Sequence, residues 1–406
     1  MYSILLRLMY LCSYIPFIYS KRYKKWFIEQ RNIFQNLNIK SDKNIWVHCA
    51  SLGEYEQIKP LIGELRKYQL SIVLTFFSPS GYLNFNDFHL ISQLSYLPLD
   101  TTYNMNRFLK IINPNMVIVS KNDIWPNMLH CVKKKKIPLY LVGYKVRKQK
   151  TKNWLIRQYY KKYLVDFSYI FCQDNFTYEF LKSQKINDCS VIGDLRIRQV
   201  LKDSKEKYKN SKIESLIQQK KTIIYGSVEE NDYQIILNNI NSRKDIAHII
   251  VPHDIDKNKI KNLTNQITSE WIMYSAIKDQ ENINCNVLIL DTFGILKKLY
   301  RYSKIAYIGG GFDNGVHNTL EPAIYNNLLL FGPNHKEFLE TEFFIENKIA
   351  YPINDKKGFE QKITLLLNYN NEDKIRKTIT NFFNRSEIKL HSIVNRIISK
   401  SGIQED

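Results

Sequence analysis

The chain has 406 residues, which is long for one domain and comfortable for two domains of about 200 residues each. Hydrophobic residues make up 44% and aromatic residues 13%, which is enough to build cores and excludes wholesale disorder. The net charge of +20 favours an anionic partner, such as nucleic acid, acidic lipid or a phosphorylated substrate. A coding bias towards Lys and Asn explains the same surplus, so charge alone selects none of these partners.

The N-terminal segment combines an apolar stretch with a basic cluster. MYSILLRLMYLCSYIPFIYS contains Arg7 and is followed at once by KRYKKW. A secretory signal would carry its charges first, and a clean spanning helix would have about 20 residues without an arginine. A shallow interfacial anchor over residues 1–25 fits this pattern better. The alternative is a buried first helix of the globular domain.

Short apolar runs alternate with longer helical stretches along the chain. In order they are IWVHC (45–49), SIVLTF (71–76), MVIVS (116–120), PLYLV (138–142), YIFCQ (169–173), TIIYG (222–226), HIIVP (248–252), NVLIL (286–290), KIAYI (304–308) and LLLFG (328–332). Each is continuously apolar, as expected for strands buried on both faces of a parallel sheet, and the separations leave room for crossover helices. The charged region 195–221 divides the runs, so we predict an α/β fold with two separate halves.

A first candidate site follows the first predicted strand. That strand ends at Cys49, and Ser51 and Glu54 have the spacing of an S-x-x-E capping box. The next helix has an apolar stripe at Ile58, Leu61, Ile62 and Leu65. Because α/β sheets bind ligands at the carboxyl ends of their strands, a partly desolvated Glu54 could take a proton from a hydroxyl group. Glu54 could instead form a reciprocal cap with Ser51, and the spacing does not distinguish this capping role from the catalytic one.

A second candidate site is IGGGFDNGVHNTLEP, residues 308–322. Glycines 309–311 follow an apolar run, and backbone without Cβ atoms can bring N–H groups close to a phosphate. Asn318 or Thr319 can cap the next helix, and Glu321 in its first turn can accept hydrogen bonds from ribose hydroxyls. A tight strand–helix turn is the alternative. The sequence has neither G-x-G-x-x-G after its first strand nor a P-loop, which weakens ordinary dinucleotide and P-loop interpretations.

Nine segments in one order resemble the 3-deoxy-D-manno-octulosonic acid (Kdo) transferases of lipopolysaccharide assembly. They are WVHCASLGEYEQIKPLI (46–62), SPSGY (78–82), LPLDTTYNMNRFLKIINPNMVIVSKNDIWPNML (97–129), VIGDLRIRQV (191–200), GSVEEND (226–232), VPHDID (251–256), DTFGILKKLY (291–300), GGGFDNGVHNTLEP (309–322) and FGPNHKEF (331–338). A series of this length is far more specific than any one of its motifs.

The resemblance implies a GT-B fold, in which two Rossmann-like domains face each other across a cleft. It implies a membrane-associated segment at 1–25, an acceptor-binding domain at 26–200, a linker at 201–221 and a CMP-sugar donor-binding domain at 222–406, whose last helix could return to the first domain. The implied reaction is inverting transfer of Kdo from CMP-Kdo to the lipid A precursor, lipid IVA, with no cofactor and no bound metal. The implied location is the anionic inner membrane of a Gram-negative type of cell, on its cytoplasmic face, without nucleic acid.

The resemblance also implies roles for individual residues. Glu54 would be the catalytic base that deprotonates the acceptor hydroxyl. Loop support on the acceptor side would come from Ser51, Gly53, Ser80, Gly81 and Asp123. The CMP pocket would be lined by Gly226, Ser227, His253, Gly310, Gly311, His317, Asn318, Thr319 and Glu321.

Four positions depart from the family pattern. The acidic motif before Trp-Pro has Lys121 in place of its first carboxylate and keeps only Asp123. His253 replaces an arginine that could contact phosphate. Gly143 begins the segment that corresponds to N-A-R-(L/M)-S, and Ile295 replaces an acid. These departures leave the fold prediction intact and bear on individual contacts.

Three other interpretations stay open at the level of sequence. Another GT-B glycosyltransferase with a UDP- or GDP-sugar would use the same glycine-rich turn and Glu321. A membrane-associated nucleic-acid-binding protein would fit the charge, but it needs basic and aromatic residues interleaved on one platform, and the lysines here are spread through helices and loops. The departures also allow a decayed, inactive relative.

Overall fold

The structure is a computed structural model that describes residues 21–146, 153–218, 220–277, 285–336, 338–386 and 390–399. These residues form two compact units: the chain up to Gln199 together with the chain from Ser386, and Val200–Arg385. Most of the predicted membrane-associated segment, residues 1–20, lies outside the described residues. No helix within the described ranges is both long enough and apolar enough to cross a membrane.

The first unit is built on a parallel sheet of seven strands. The strands are β1 (Asn44–Cys49), β2 (Ser71–Phe76), β3 (Gln93–Tyr96), β4 (Pro114–Ser120), β5 (Leu139–Tyr144), β6 (Tyr169–Cys172) and β7 (Cys189–Val191). Their spatial order is β3-β2-β1-β4-β5-β6-β7. The helices along this part of the chain are α1 (Lys21–Asn36), α2 (Leu52–Leu65), α3 (Pro79–Leu83), α4 (Thr102–Ile112), α5 (Pro126–Lys134), α6 (Trp154–Leu164) and α7 (Asn175–Ser183).

The second unit repeats this architecture. Its strands are β8 (Lys221–Val228), β9 (Ile246–Pro252), β10 (Trp271–Met273), β11 (Val287–Ile289), β12 (Ile305–Ile308), β13 (Leu328–Phe331) and β14 (Ala350–Pro352), in the order β10-β11-β9-β8-β12-β13-β14. The helices from the unit boundary onwards are α8 (Arg196–Ser204), α9 (Ser211–Ile217), α10 (Glu230–Ser242), α11 (Lys257–Thr264), α12 (Leu296–Leu299), α13 (Leu320–Ala323), α14 (Leu339–Glu346), α15 (Lys356–Leu367), α16 (Glu372–Arg385) and α17 (Leu390–Ser399).

Helices α2 and α17 close one face of the first sheet. The predicted stripe of α2 is almost fully buried in a core with β1 and β2. Ile393 and Ile397 of α17 belong to the same core, and the Tyr140 hydroxyl donates to the Ile397 carbonyl at 3.2 Å. Because each buried aliphatic side chain contributes about 1.5–3 kcal/mol, this packing fixes the last described helix in the first unit.

The predicted α/β class with two separate sheets is confirmed, and each apolar run of the sequence overlaps a strand. The strands that the sequence did not predict are β3, β7, β10 and β14, which are the edges of the two sheets. The region predicted as a linker, 201–221, instead carries the end of α8, all of α9 and the first residue of β8. Its apolar residues Ile213 and Leu216 are buried, so α9 packs as an ordered helix.

Glycines allow the ends of strands β8, β12 and β13 to touch. A Cβ on Gly309 would lie 2.3 Å from the Ser227 carbonyl oxygen and 2.6 Å from the Val228 Cα. A Cβ on Gly311 would lie 2.5 Å from the Gly332 nitrogen. Side chains at these positions would overlap neighbouring backbone, so the protein's own packing requires glycine there.

We predict that Gly309→Ala lowers the free energy of unfolding by about 1–3 kcal/mol, because the methyl group has no space beside β8. The control is Gly63→Ala in α2, where an added Cβ has nothing within 4 Å. That substitution should stabilise by up to about 1 kcal/mol. Urea unfolding of both variants, followed by circular dichroism, measures the difference, and equal stability of the two would contradict this packing argument.

Candidate functional site

The carboxyl end of β1 leads directly to Glu54. Ser51 occupies the N-cap position of α2, as predicted, but its side chain makes no capping hydrogen bond. The Glu54 side chain instead reaches the residue before Ser51, and its Oε2 accepts from the Ala50 N–H at 2.6 Å. The predicted reciprocal capping box is therefore wrong in its partners, because the carboxylate satisfies the Ala50 amide rather than that of Ser51.

Beside Glu54, a chain of buried hydrogen bonds leads to Asp123. The Trp46 indole N–H donates to Thr75 Oγ1 at 2.9 Å, and Thr75 Oγ1 lies 2.9 Å from His48 Nδ1. The His48 Nε2 lies 2.7 Å from Asp123 Oδ2. Because the ionised Asp123 carboxylate can only accept, His48 Nε2 carries the proton towards it, and Nδ1 of the neutral ring then accepts from the Thr75 hydroxyl.

The two carboxyl groups are tuned in opposite directions. Burial raises the pKa of Glu54, and the nearby charge of Asp123 raises it further, while the Ala50 hydrogen bond and Lys121 oppose the rise. Burial alone would raise the pKa of Asp123 as well, but its hydrogen bond with His48 holds the pKa below the ordinary value. Of the two, Glu54 is therefore the carboxyl group better suited to taking up a proton.

Lys121, one of the departures from the family pattern, lies in this charged group. It directly follows β4 in a left-handed conformation with φ of +57°, and its N–H donates to the Val142 carbonyl at 2.8 Å. Burial lowers the pKa of its ammonium group, and the charge of Glu54 partly restores it. Asp194 and Arg196 form an ion pair in which Arg196 Nε donates to Asp194 Oδ2 at 2.9 Å. Their two charges also act on the pKa of Lys121. The lost carboxylate is thus replaced by a cation beside Glu54.

The loop after β2 packs onto the start of α2. Ser78 caps α3 by accepting from the Ser80 N–H at 3.1 Å, and its hydroxyl lies 2.6 Å from the Ser80 hydroxyl. A Cβ on Gly81 would lie 2.6 Å from the Phe76 ring and 3.1 Å from the Leu52 nitrogen, so Gly81 is a packing residue. Gly53 is exposed and has open space around it. The first unit thus brings its predicted site residues to the carboxyl ends of β1, β2 and β4.

In the second unit, backbone hydrogen bonds join the loops that follow β8, β9 and β12. Ser227, the last residue but one of β8, is in a left-handed conformation with φ of +54°. The His253 N–H donates to the Val228 carbonyl at 2.9 Å. The His317 N–H donates to the Gly309 carbonyl at 3.1 Å, and the Gly309 N–H donates to the Gly226 carbonyl at 2.9 Å. The predicted donor-side residues therefore lie at one edge of one sheet.

Asp232, in the first turn of α10, holds these loops together. Its carboxylate is fully buried and accepts from the Glu229 N–H at 2.8 Å, the Gly310 N–H at 3.0 Å and the Tyr307 hydroxyl at 2.6 Å. Burial raises the pKa of Asp232, and these hydrogen bonds oppose the rise. The N–H groups of Gly309 and Gly310 thus have acceptors inside the protein. The expectation that they face a phosphate is wrong for these two groups.

Glu229, His253 and His317 form a polar group beside the glycine turn. His317 Nε2 lies 2.9 Å from Glu229 Oε1, and the His253 and His317 rings stack with their centroids 4.3 Å apart. Burial lowers the pKa of His317, and the neighbouring His253 lowers it further, while Glu229 opposes both. Gly310 is in a left-handed conformation with φ of +82°, and a Cβ there would lie 2.8 Å from His317 Nε2. The bare backbone of this turn therefore makes room for the His317 ring.

The predicted helix start after this turn is a single turn, α13. Asn318 is the residue that caps it, because its Oδ1 accepts from the Leu320 N–H at 3.1 Å. Its Nδ2 donates to Glu321 Oε1 at 2.9 Å. Thr319 occupies the N-cap position, and its buried hydroxyl has no hydrogen-bond partner among the described residues. The charge of Glu321 acts on the buried Tyr300 hydroxyl, against which Gly226 packs.

Sequence reasoning missed several residues of these sites, chiefly His48, Arg196, Glu229 and Asp232. Glu229 and Asp232 have the E-x-x-D spacing of a helix start, so this signal could have been found in GSVEEND. The pairing of His48 with Asp123 joins positions 75 residues apart and has no local signal. Contact of any of these residues with a donor or an acceptor stays a prediction.

Comparisons with known proteins agree with the motif series. Residues 23–199 match the family model described as 3-Deoxy-D-manno-octulosonic-acid transferase (kdotransferase). The chain is 28% identical over 357 residues to a 3-deoxy-D-manno-octulosonic acid transferase of Aquifex aeolicus, covering 86% of this chain and 93% of that one. It is 26% identical over 410 residues to a bifunctional glycosyltransferase/methyltransferase of Fusobacterium nucleatum, covering 97% of this chain but 62% of the relative, which is less than two thirds.

Solved structures agree on the fold. A UDP-GlcNAc 2-epimerase from Neisseria meningitidis bound to UDP-GlcNAc matches with a TM-score of 0.57 and 16% identity, over 88% of this chain and 99% of that one. At this identity the likeness concerns the fold alone. Together with the two parallel sheets, it supports a GT-B-like α/β architecture. The sequence matches confirm the resemblance to the Kdo transferase family and indicate a glycosyltransferase.

We predict that Asp232→Ala lowers the free energy of unfolding by about 1–3 kcal/mol, because two backbone N–H groups and the Tyr307 hydroxyl lose a buried acceptor. The control is Asp254→Ala, which removes an exposed carboxylate whose Lys259 partner is half exposed. That change should stay within about 0.5 kcal/mol. Urea unfolding of both variants measures the effect, and a mild Asp232 variant would show that the network is dispensable.

Proposed function

We propose that this glycosyltransferase transfers Kdo from CMP-Kdo to the lipid A precursor, lipid IVA, in lipopolysaccharide biosynthesis, with inversion and without a metal in the reaction. The observation that supports this proposal most directly is the position of Glu54. It lies at the carboxyl end of β1, its pKa is raised, and it falls inside the segment that matches the kdotransferase family model. The named activity of the Aquifex aeolicus relative, which aligns with 86% of this chain, supports the choice of sugar.

In the proposed reaction, Glu54 accepts the proton of an acceptor hydroxyl as that oxygen attacks the anomeric carbon of Kdo. The new carbon–oxygen bond forms on the face opposite to the leaving group, which gives inversion. The bond between the anomeric carbon and the phosphate oxygen breaks, and CMP leaves with that electron pair. Lys121 acts on Glu54 electrostatically and favours its ionised form before the proton is transferred. The rate then comes from orientation and from one positioned base.

On the donor side, the proposal assigns the CMP contacts to side chains rather than to the glycine N–H groups. Asn318 and Glu321 form a hydrogen-bonded pair that can accept from and donate to ribose hydroxyls. The exposed His253 imidazole, which stacks on the ring of His317, can donate to a phosphate. The buried Thr319 hydroxyl completes this polar surface.

We also propose that the protein works at the cytoplasmic face of the inner membrane. The apolar and basic residues 1–25 and the net charge of +20 favour an anionic lipid surface. The acceptor is itself a phosphorylated lipid, so binding to that surface raises the local concentration of substrate. No cofactor or nucleic-acid partner enters this proposal.

Incubation with CMP-Kdo and tetra-acylated lipid A precursor should yield a product whose mass increases by one or more Kdo residues. Glu54→Gln should abolish this product while CMP-Kdo still binds, because only the proton acceptor is lost. In the wild type, turnover should fall as pH drops through the pKa of Glu54, since a protonated carboxyl group accepts no proton. Burial raises that pKa, so the loss should begin above the usual value of about 4.3.

The matched control for this experiment is Glu56→Gln on the same helix, two residues from Glu54 and therefore on a different face. It should keep nearly full turnover. If Glu54→Gln forms product at the rate of the wild type, Glu54 is not the base. If the protein releases UDP from a UDP-sugar, the donor is a UDP-sugar and not CMP-Kdo.

We predict that Glu321→Gln weakens CMP-Kdo binding by about tenfold, because a charged acceptor for ribose hydroxyls becomes neutral. Asn318 keeps a side-chain oxygen as its partner, so the local fold should persist. Isothermal titration with CMP measures the affinity, and thermal unfolding checks the fold. An unchanged CMP affinity would exclude Glu321 from the pocket.

A further inference from the structure

Three side chains converge at the carboxyl edge of the second sheet: Glu229, His253 and His317. They follow β8, β9 and β12, which are neighbours in the sheet. One nitrogen or oxygen atom from each lies within 4.8 Å of the corresponding atoms of the other two. We propose that this triad is a binding site for a divalent transition metal of the zinc type, so that a bound ion and the donor phosphate compete for His253.

The donor atoms are close to the spacing that such an ion requires. Ligands held at about 2.0–2.2 Å from a tetrahedral Zn²⁺ lie about 3.4 Å from one another. His317 Nε2 and Glu229 Oε1 are 2.9 Å apart, and the largest separation within the triad is at most 4.8 Å. Movements of about 1.4 Å or less therefore bring the three donor atoms to the spacing of a tetrahedral site. Side-chain rotation supplies movements of this size without a change of backbone.

One specific rotation is needed. The His253 and His317 rings are nearly parallel, with an angle of 13° between their planes. A metal ion lies in the plane of each imidazole that binds it, so two parallel stacked rings cannot hold the same ion. His253 is exposed, and its ring can turn about the Cβ–Cγ bond towards the other two ligands.

The backbone of each ligand is already anchored. His253 is fixed by its N–H bond to Val228 at 2.9 Å, and His317 by its N–H bond to Gly309 at 3.1 Å. Glu229 is fixed by its N–H bond to Asp232 at 2.8 Å. The three loops therefore keep their relative positions while the side chains adjust, which is the pre-organisation that a metal site needs.

The chemistry of the ligands selects the kind of ion. Two imidazole nitrogens and one carboxylate oxygen suit Zn²⁺, Co²⁺ and Ni²⁺, whereas Mg²⁺ and Ca²⁺ prefer ligand sets made of oxygen. Three protein ligands leave a fourth position for water.

Titration of the chelator-treated full chain with Co²⁺ tests the proposal. One Co²⁺ per chain should bind with a visible absorption band of low coordination number, and Zn²⁺ should displace it. His253→Ala and Glu229→Gln should each weaken Co²⁺ binding by about tenfold or more. The control is His130→Ala, which removes an exposed histidine of α5 in the first unit and should leave the affinity unchanged.

Circular dichroism confirms that each variant is folded, and the exposed position of His253 makes its variant the safest of them. A titration without a stoichiometric band, or with equal affinity in wild type and His253→Ala, would overturn the site. Because the titration contains no sugar nucleotide, its result is independent of the transferase assay, and neither failure implies the other.

Discussion

The buried carboxylate of Asp232 is the group on which the loop arrangement of the second unit depends. A carboxylate without water is tolerated only when its oxygens are satisfied, and this one takes donors from the start of α10, from β12 and from the glycine turn. The turn is therefore held by a side chain of the protein itself. Its glycines serve close packing and make room for the His317 ring.

In the first unit, the pKa values of two neighbouring carboxyl groups are shifted in opposite directions. Asp123 stays ionised because His48, oriented by Thr75, donates to it. Glu54 is buried beside that negative charge, so its own pKa rises, and Lys121 moderates the rise. One acid is stabilised as an anion and the other is prepared to take a proton. This division of roles suits the single general base of the proposed transfer.

The sequence predicted the inner strands of both sheets because their side chains are buried on both faces and form unbroken apolar runs. The edge strands β3, β7, β10 and β14 have three or four residues and partly exposed side chains, so they carry no such signal. Local spacing located Glu54 and the glycine turn. It could not show that Glu54 pairs with Ala50, nor that Asp232 reaches Gly310, because those partners depend on how loops meet after folding.

The proposed transfer requires the second unit to bind a cytidine nucleotide, whereas a solved protein of similar fold binds UDP-GlcNAc. Calorimetric titration of the full chain with CMP and with UMP tests this claim most directly. The account predicts that CMP binds about tenfold or more tightly than UMP, because a pocket built for one base leaves polar groups unpaired with the other. Equal affinities, or tighter binding of UMP, would contradict it.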